Sequence, residues 1–460
     1  NLSKKYNYDE AIIWGHSLSG NIHFVISQDF ADPNEIERYK NFMNEITDLV
    51  VDKYDGSLKA EHGTGRNMAP FVKKEWGEDA YHLMKEIKKL FDPKNILNPG
   101  VIINDDSEIH LKNLKPLPEA NPIIDKCIEC GFCEVNCPSK DVTLTPRQRI
   151  TVWREINQRK KNSSQHLELN SLLSDYDYLG NETCATDGLC ATSCPVDIDT
   201  GKLIKEIRSE KISHSAEFAA DFIARNFSII SRSAKHGLNF VHLFHKLLGT
   251  DTLNYLSNSL SNISKGLIPH WNEAMPKGAD YPLPNLSLSS DLKVVYFPSC
   301  ISRSFGLQKE TNEKYSQTYI TLKLLNKAGY EVLYPTKIDS LCCGMPFSSK
   351  GFIKQADYKS DELLASLIEK SENGKYPILF DTSPCLYRMK EYMQKAKKEL
   401  KIYEPIEFIL EHLVDKLNFK KVEDVITIHT TCSSTKMGLT EKFEKLAKLC
   451  TDNVIIPKEV

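Results

Sequence analysis

The sequence predicts a multidomain α+β protein with three successive parts: an α+β segment, an all-α segment and an α/β segment. The chain has 460 residues, and single hydrophobic cores rarely grow beyond ~250 residues. Two short cysteine runs lie in a stretch with largely helical patterns, and strand and helix patterns alternate after residue 291. These observations favour several small cores over one large core.

Composition excludes several classes of protein. The chain is 41% hydrophobic and 26% charged, which is typical of a globular protein in water. A net charge of -3 gives no electrostatic basis for nucleic-acid binding. No apolar run approaches ~18 residues, and the first residues do not resemble a signal peptide. Most of the thirteen cysteines lie in short runs, so we expect a reducing, cytoplasmic location rather than a disulfide scaffold.

The first segment, residues 1 to 104, is expected to be α+β. Residues 11 to 27 contain two apolar runs around a Ser-Leu-Ser-Gly-Asn turn, which predicts a strand, a turn and a strand. Helices are predicted at about 33 to 54 and 78 to 91. Asn98-Pro99-Gly100 ends the segment, and the prolines of residues 105 to 122 predict an extended linker.

The second segment, residues 123 to 215, holds both cysteine runs. Thr145, Pro146 and Gln148 form a helix-start signature between them. Residues 216 to 290 are predicted to be a helical connector with basic and aromatic side chains. Such helices could rest on the inner face of a membrane, although ordinary helix packing is the more common reason for the pattern.

The third segment, residues 291 to 460, contains an internal repeat. Residues 293 to 297 read as a buried strand that leads into Ser299-Cys300, and residues 425 to 429 lead in the same way into Thr431-Cys432. The second copy stops before a second Cys-Cys-Gly sequence. We therefore expect this α/β segment to be truncated, and the chain to be cut at both ends.

The first cysteine run has the spacing of an iron-sulfur site. C-x2-C-x2-C-x3-C-P brings three thiolates to one cluster, and the fourth cysteine ligates the other cluster in two-cluster proteins. All four positions and the proline are present: Cys127, Cys130, Cys133, Cys137 and Pro138. The alternative is a zinc site or a set of unrelated thiols.

The second cysteine run, Cys184, Cys190 and Cys194, lacks one cysteine, because Asp187 occupies the second position. Either Asp187 ligates iron weakly, giving a 4Fe-4S cluster that could lose one iron to become 3Fe-4S, or it caps a turn and another ligand completes the site. Cross-ligation predicts two clusters. One would be held by Cys127, Cys130, Cys133 and Cys194, and the other by Cys184, Cys190 and Cys137.

A further group of cysteines comprises Cys300, Cys342, Cys343 and Cys385. The adjacent pair, followed by Gly344, resembles the cysteine-rich domain of heterodisulfide reductases and of glycolate and glycerol-3-phosphate oxidation subunits. In that family the pattern ends in C-x2-C, but here Thr382 takes the first of those two places. Adjacent cysteines do not easily ligate one corner of a regular cube, so the pair indicates a special cluster, a disulfide or thiol redox chemistry, and a structural relic is the alternative.

Histidines and a glutamate form a second type of candidate site. The sequences around His16, His23, Glu61 and His62 resemble the substrate (cap) domain of FAD-linked oxidases, which include D-lactate and D-2-hydroxyglutarate dehydrogenases. The resemblance implies that His16, His23 and Glu61 bind a divalent metal, zinc or manganese, and that His62 is the general base. Ser19 replaces the acidic residue that the family usually has before Gly-Asn. Taken alone, these residues would more often be ordinary core or surface side chains.

The order of the segments resembles the fused iron-sulfur, FAD-dependent D-lactate dehydrogenases of bacteria. This resemblance implies that FAD, bound mainly by a domain before Asn1, oxidises D-lactate to pyruvate. Electrons would then pass through a helical two-cluster ferredoxin to a quinone or cytochrome. Glycolate or D-2-hydroxyglutarate would be alternative small 2-hydroxy acid substrates. A non-catalytic electron-transfer subunit is the alternative from another class.

Overall fold

The computed structural model describes residues 2–59, 63, 65–161, 166–264, 270–280, 283–286, 288–307 and 313–457. The chain forms two compact units, one of Asn1–Ile128 with Trp153–Gln165, the other of Glu129–Val152 with His166–Val460. Among the described residues, no helix combines the length and the apolar character that crossing a bilayer requires.

The first unit contains the predicted hairpin and two longer helices. Its regular elements are α1 (Leu2–Lys5), β1 (Ile12–Trp14), β2 (His23–Val25), α2 (Pro33–Thr47) and α3 (Val72–Phe91). Strands β1 and β2 are antiparallel, with Ile12 opposite Val25 and Trp14 opposite His23. This confirms the strand-turn-strand prediction.

Both helices of this unit differ in their bounds from the prediction. Helix α2 ends at Thr47 and continues as a π-helix over Asp48–Lys53, where the carbonyl-to-amide spacing widens by one residue. Helix α3 begins at Val72 and contains Gly77 with φ 77°, which breaks it into two helical pieces. Periodicity alone does not reveal either change.

The core of the first unit is aromatic and draws in part of the predicted linker. Tyr8, Tyr39, Phe42, Met43 and Phe71 are buried together. A 3-10 turn, Ile109–Leu111, interrupts the extended path expected for residues 105 to 122. Its His110 is 5% exposed, with ring centroids 5.2 Å from Phe71 and 6.4 Å from Tyr39. Packing of this ring therefore orders the segment locally.

The second unit begins with a helical part that carries six of the thirteen cysteines. Helix α4 (Pro146–Lys161) begins in this unit. The helices that follow it before the next strand are α5 (His166–Tyr176), α6 (Thr200–Glu210), α7 (His214–Arg225) and α8 (Phe227–Ile263). At the start of α4, Thr145 N donates to Gln148 Oε1 at 2.9 Å and Gln148 N donates to Thr145 Oγ1 at 3.4 Å. This reciprocal pair confirms the predicted helix start.

A four-stranded parallel sheet follows, in the order β4-β3-β5-β6. Its strands are β3 (Lys293–Phe297), β4 (Glu331–Leu333), β5 (Ile378–Phe380) and β6 (Ile402–Tyr403). The intervening helices are α9 (Cys300–Ser304), α10 (Gln317–Lys327), α11 (Met345–Ser348), α12 (Ile353–Lys370) and α13 (Ser383–Ala396). Both sheet faces are covered, because Val295 and Phe297 are buried in one apolar cluster and Val294 and Tyr296 in another. This confirms the predicted alternation of strand and helix.

The second copy of the repeat is shorter. Helix α14 (Pro405–Phe408) comes before it, and the copy itself contains β7 (Ile426–Thr427), α15 (Cys432–Lys436), α16 (Thr440–Cys450) and β8 (Val454–Ile455). Strands β7 and β8 are parallel. As in the first copy, a short helix that starts at a cysteine follows the strand.

Candidate redox centres

All thirteen cysteines lie within the described residues, and none of them forms a disulfide. Cys127, at the start of the first run, belongs to the first unit. Its amide donates to Ile124 O at 2.9 Å, and the buried Arg154 donates to the carbonyls of Ile124, Asp125 and Cys127 at 3.4, 3.2 and 3.0 Å. One guanidinium therefore fixes the backbone that leads into the run.

The rest of the first run, Cys130, Cys133 and Cys137, belongs to the second unit. Glu129 and Gly131 have φ angles of 59° and 87°, so the backbone turns tightly around Cys130. Glu134 N donates to Gly131 O at 3.0 Å, and Cys137 N donates to Glu134 O at 3.1 Å. These successive turns form the compact loop that cluster ligation requires.

Arg149 lies at the end of this loop. Its side chain is 1% exposed, and Nη1 lies 3.6 Å from Cys137 Sγ. Nε donates to Gly180 O at 2.8 Å and Nη2 donates to Ser139 Oγ at 2.8 Å. Burial raises the pKa of the Cys184 thiol, and the Arg149 charge opposes that rise. Cys137 and Cys184 therefore lie around one buried cation.

The second run folds into a loop before α6. Thr186 and Gly188 have φ angles of 52° and 74°, and a 3-10 helix follows over Leu189–Ser193. Asp187 Oδ1 accepts from Leu189 N at 2.9 Å, so this carboxylate caps the turn. Whether Asp187 also ligates iron stays a prediction.

The surroundings of Cys184 and Cys190 disfavour ionisation of their thiols in the absence of metal. Burial raises the pKa of Cys190 to about 11, and the Asp199 carboxylate adds to the rise. Amides of Thr200 and Gly201 at the start of α6 oppose it by hydrogen bonding to the same sulfur. Iron stabilises thiolates directly, and amide hydrogen bonds to sulfur are typical of iron-sulfur sites. The cysteines therefore fit an iron-sulfur cluster.

A direct bridge joins the two cysteine loops of the second unit. The Asn136 amide nitrogen donates to Thr192 Oγ1 at 3.1 Å and to Ser193 Oγ at 2.6 Å. Each end of this bridge lies next to the final cysteine of its run, Cys137 or Cys194. The final cysteines are those that cross-ligation assigns to the opposite cluster.

The cysteine-rich group gathers at the carboxyl end of the parallel sheet. Cys300 follows β3, Cys385 follows β5, and Cys342 and Cys343 precede α11. Cys343 Sγ lies 3.2 Å from Cys385 Sγ, and the Cys300 and Cys343 thiols hydrogen-bond to Cys342. The four side chains thus form a continuous chain of contacts.

The backbone at position 344 requires the glycine of the Cys-Cys-Gly sequence. Its φ is 85°, and a Cβ at this position would collide with the Ala356 carbonyl. Only glycine combines this backbone conformation with such a close approach at little cost. The glycine thereby allows the adjacent cysteines to face the sheet end.

Hydrogen bonds shift the pKa values of Cys342 and Cys300 in opposite directions. Those from Cys300 and Cys343 lower the pKa of Cys342, and the buried Arg303 charge acts in the same direction. Hydrogen bonding to Cys342, together with burial, raises the pKa of Cys300. Cys342 therefore ionises more readily than Cys300 and Cys343.

The cysteine thiols of the described residues do not form a site for a single metal ion. Across the described ranges, no three or more His, Cys, Asp or Glu side chains are grouped so that one metal ion could bind. Iron-sulfur clusters place each thiolate on a different iron, so they require neighbouring thiols rather than one shared centre. Thr382 Oγ1 is buried and has no hydrogen-bond partner among the described residues, at the place where the resembled family has a further cysteine.

The hairpin brings two of the predicted metal ligands together. The rings of His16 and His23 are perpendicular, with centroids 5.2 Å apart, and His16 Nδ1 lies 3.0 Å from Asn21 Oδ1. Two neighbouring imidazoles fit a zinc site, whereas manganese would depend on an oxygen ligand such as the predicted Glu61. Glu61 and His62, the predicted third ligand and general base, lie outside the described residues.

Sequence reasoning missed the polar residues that support the cysteines. Arg149 lies in the first turn of α4, and its guanidinium contacts Cys137 of the first run and Gly180 and Thr183 just before the second run. Arg154, one helical turn further along, has the same kind of role for Cys127. The four arginines of α4, the helix between the cysteine runs, were the available signal.

Comparison with protein families gives three matches along the chain. Residues 1–102 match the FAD linked oxidases, C-terminal domain. Residues 123–198 match the 4Fe-4S dicluster domain, and residues 294–390 match the cysteine-rich domain. These ranges contain the histidine hairpin, both cysteine runs and the Cys-Cys-Gly group, respectively.

Curated relatives share parts of the chain. D-2-hydroxyglutarate dehydrogenase of Haemophilus influenzae is 25% identical over 296 residues, covering 52% of this chain and 28% of that protein. Glycolate oxidase subunit GlcD of Bacillus subtilis is 34% identical over 101 residues, covering 22% of this chain and 21% of that protein. The probable mitochondrial D-lactate dehydrogenase of Danio rerio is 33% identical over 91 residues, covering 20% and 18%. The chain thus spans about a quarter of the length of these relatives, and no solved structure matches it.

Proposed function

We propose a function for a chain that carries, in order, the C-terminal domain of the FAD-linked oxidases, a 4Fe-4S dicluster domain and a cysteine-rich domain. It is part of an FAD-dependent dehydrogenase that oxidises a small 2-hydroxy acid and passes the electrons through two 4Fe-4S clusters. D-lactate is the proposed substrate and pyruvate the product. The observation that carries this proposal is the presence of a substrate-side domain and two kinds of cysteine site on one chain.

The substrate end depends on the histidine hairpin. His16, His23 and Glu61 would hold the divalent metal, zinc or manganese, which lowers the pKa of a coordinated hydroxyl group. His62 would accept the hydroxyl proton, since a neutral imidazole with a pKa near ~6.5 is suited to this step. FAD, bound mainly by residues outside this chain, would accept the hydride and release electrons singly.

The cysteines provide the route for single electrons. Cys127, Cys130, Cys133 and Cys194 would hold one cluster, and Cys137, Cys184 and Cys190 would contribute to the other. The common position of Cys137 and Cys184 around Arg149 supports this cross-ligation. The Cys-Cys-Gly group would hold a further cluster or act as a thiol redox site. A quinone or cytochrome would receive the electrons at the cytoplasmic face of a membrane.

D-2-hydroxyglutarate is a second candidate substrate. The alignment with the Haemophilus influenzae dehydrogenase covers 52% of this chain. It therefore extends beyond residues 1–102, the range that the oxidase domain matches. That protein therefore shares more of the chain than the relatives named for glycolate or D-lactate. Glycolate remains an alternative on the basis of the GlcD similarity.

The test is a substrate panel on the complete protein, purified anaerobically with its FAD. We expect D-lactate to bleach the flavin absorbance and then to reduce the clusters, as followed by EPR. The L-lactate enantiomer is the matched control. Bleaching by D-2-hydroxyglutarate or glycolate alone would reassign the substrate. Bleaching by none of these acids would favour the non-catalytic electron-transfer subunit.

A further inference from the structure

Helix α15 of the second repeat begins with Cys432, the counterpart of Cys300 in the first repeat. Cys300 lies beside Cys342 within the cysteine-rich group. Helix α15 instead packs against the 3-10 helix Leu189–Ser193 of the dicluster region, and all of these residues belong to the second unit. The two repeat cysteines therefore lie in different surroundings.

A buried ion pair fixes α15 on this loop. Lys436 Nζ lies 3.0 Å from Asp199 Oδ2, and the two side chains are only 10% and 11% exposed. A Cβ at Gly188 would collide with both Lys436 Nζ and Asp199 Oδ2, so a larger residue at position 188 would have to displace this ion pair. On its other side, α15 is held to α13 by Ser434 Oγ, which donates to Ser383 Oγ at 2.8 Å.

This packing brings the start of α15 to the loop that carries Asp187, so that the Cys432 thiol lies within electrostatic reach of that carboxylate. Burial raises the pKa of Cys432, and the negative charge of Asp187 adds to the rise. The same Asp187 charge acts on Cys184 of the second run. Asp187 thus lies within electrostatic reach of both thiols, at the position where the cluster motif lacks a cysteine.

Asp187 itself is poorly suited to complete the site. One of its carboxylate oxygens already accepts the Leu189 amide and caps the turn. Thiolates are the ordinary ligands of iron-sulfur clusters, whereas carboxylates suit harder ions. A half-buried free thiol beside the gap is a better fourth ligand than the carboxylate that occupies it.

We propose that Cys432 supplies the missing ligand of the second cluster, together with Cys137, Cys184 and Cys190. The second repeat of the cysteine-rich segment thus completes a site whose other ligands come from the dicluster domain. The proposal rests on the proposed function only in requiring that the clusters exist. It assigns to Asp187 a structural role as a turn cap.

The test uses EPR and iron and sulfide analysis of the anaerobically purified protein, without a turnover assay. Cys432→Ala should convert one 4Fe-4S cluster into a 3Fe-4S cluster, or remove it, and should leave the other cluster intact. Asp187→Asn should keep both clusters, because an amide oxygen can still cap the turn. Cys450→Ala, which removes a half-buried thiol at the end of α16, is the matched control and should keep both.

A rescue variant separates ligation from misfolding. Asp187→Cys restores the full cysteine spacing, so adding it to Cys432→Ala should restore the 4Fe-4S signal. Two unchanged 4Fe-4S clusters in Cys432→Ala would overturn the proposal, as would a 3Fe-4S signal in Asp187→Asn alone. Wild-type protein without clusters would instead contradict the proposed function itself.

Discussion

The Arg149 guanidinium lies 3.6 Å from the Sγ of Cys137 at a position that is almost wholly buried. A fixed cation beside a cluster ligand stabilises the reduced, more negative state of the cluster. The Arg149 side chain should therefore affect the reduction potential of a nearby cluster, which can be measured.

Arg149→Met should lower the reduction potential of the cluster to which we assign Cys137. Loss of one nearby charge is expected to shift it by about 60–120 mV, or about 1.4–2.8 kcal/mol for one electron. EPR-monitored redox titration measures the shift. Lys202→Met is the control, because it removes an exposed cation of α6 and should leave the reduction potential unchanged. Equal reduction potentials in Arg149→Met and the wild type would contradict the expectation.

His110 should make the stability of the first unit depend on pH. Burial lowers the pKa of His110, and neither ring nitrogen has a hydrogen-bond partner within the described residues. In the unfolded chain a histidine titrates near ~6.5, so below that pH the unfolded state binds a proton that the folded state resists. The free energy of unfolding should therefore fall as the pH decreases from about 6.5 towards 5.

His110→Phe should remove this loss, because phenylalanine fills the aromatic pocket and carries no titrating group. Urea unfolding at several pH values, followed by the fluorescence of the first unit, measures the effect. His82→Phe is the control, since that side chain is 70% exposed. If His110→Phe kept the wild-type slope, burial of His110 would not be its cause.

Lys436→Met should destabilise the second unit by about 3 kcal/mol, because it leaves Asp199 buried without its partner. Burial by itself lowers the pKa of Lys436, but Asp199 and Tyr387 raise it by a larger amount, so the lysine stays charged. Denaturant unfolding of the metal-free protein measures the change. Adding Asp199→Asn to Lys436→Met should recover part of the loss.

The exposed pair of Lys448 with Glu444 in α16 provides the control for this charge deletion. Lys448→Met should change stability by no more than about 0.5 kcal/mol, since exposed pairs contribute little. Equal losses in the two variants would show that the Lys436–Asp199 pair is not special.

Mild oxidation of cluster-free protein should link Cys343 to Cys385. Their sulfurs are 3.2 Å apart and need to approach to only ~2.05 Å to form a disulfide. Diamide would take up the two electrons and two protons that the thiols release. Mass spectrometry of unreduced peptides identifies the pair, and Cys385→Ser should abolish that peptide. Recovery of Cys385 in a disulfide with Cys300 would contradict the observed order of contacts.

Local signals in the sequence predicted much of the fold. Thr145 and Gln148 define the start of α4 because capping involves only neighbouring residues. The strand Lys293–Phe297 was predicted with its observed bounds, because a short apolar run before Ser299 is typical of a buried parallel strand. The packing of His110 was not predicted, because the proline content of a segment does not show which of its side chains is buried against residues distant in the sequence.

The candidate sites were predictable only as far as spacing determines them. Spacing identifies the cysteine runs, but the proximity of Cys432 to Asp187 depends on how two distant segments fold against each other. Buried arginines such as Arg149 carry no spacing pattern at all. The roles assigned to Glu61 and His62 stay predictions, since both lie outside the described residues.

The side-chain bridge from Asn136 to Thr192 and Ser193 also constrains how this protein can vary. An insertion or deletion in either loop would displace an anchor in the other, so the two halves of the ferredoxin cannot change length independently. Natural variants should therefore show compensating changes on both sides of the bridge. A graft of one loop alone into another scaffold should fail unless its counterpart is transplanted with it.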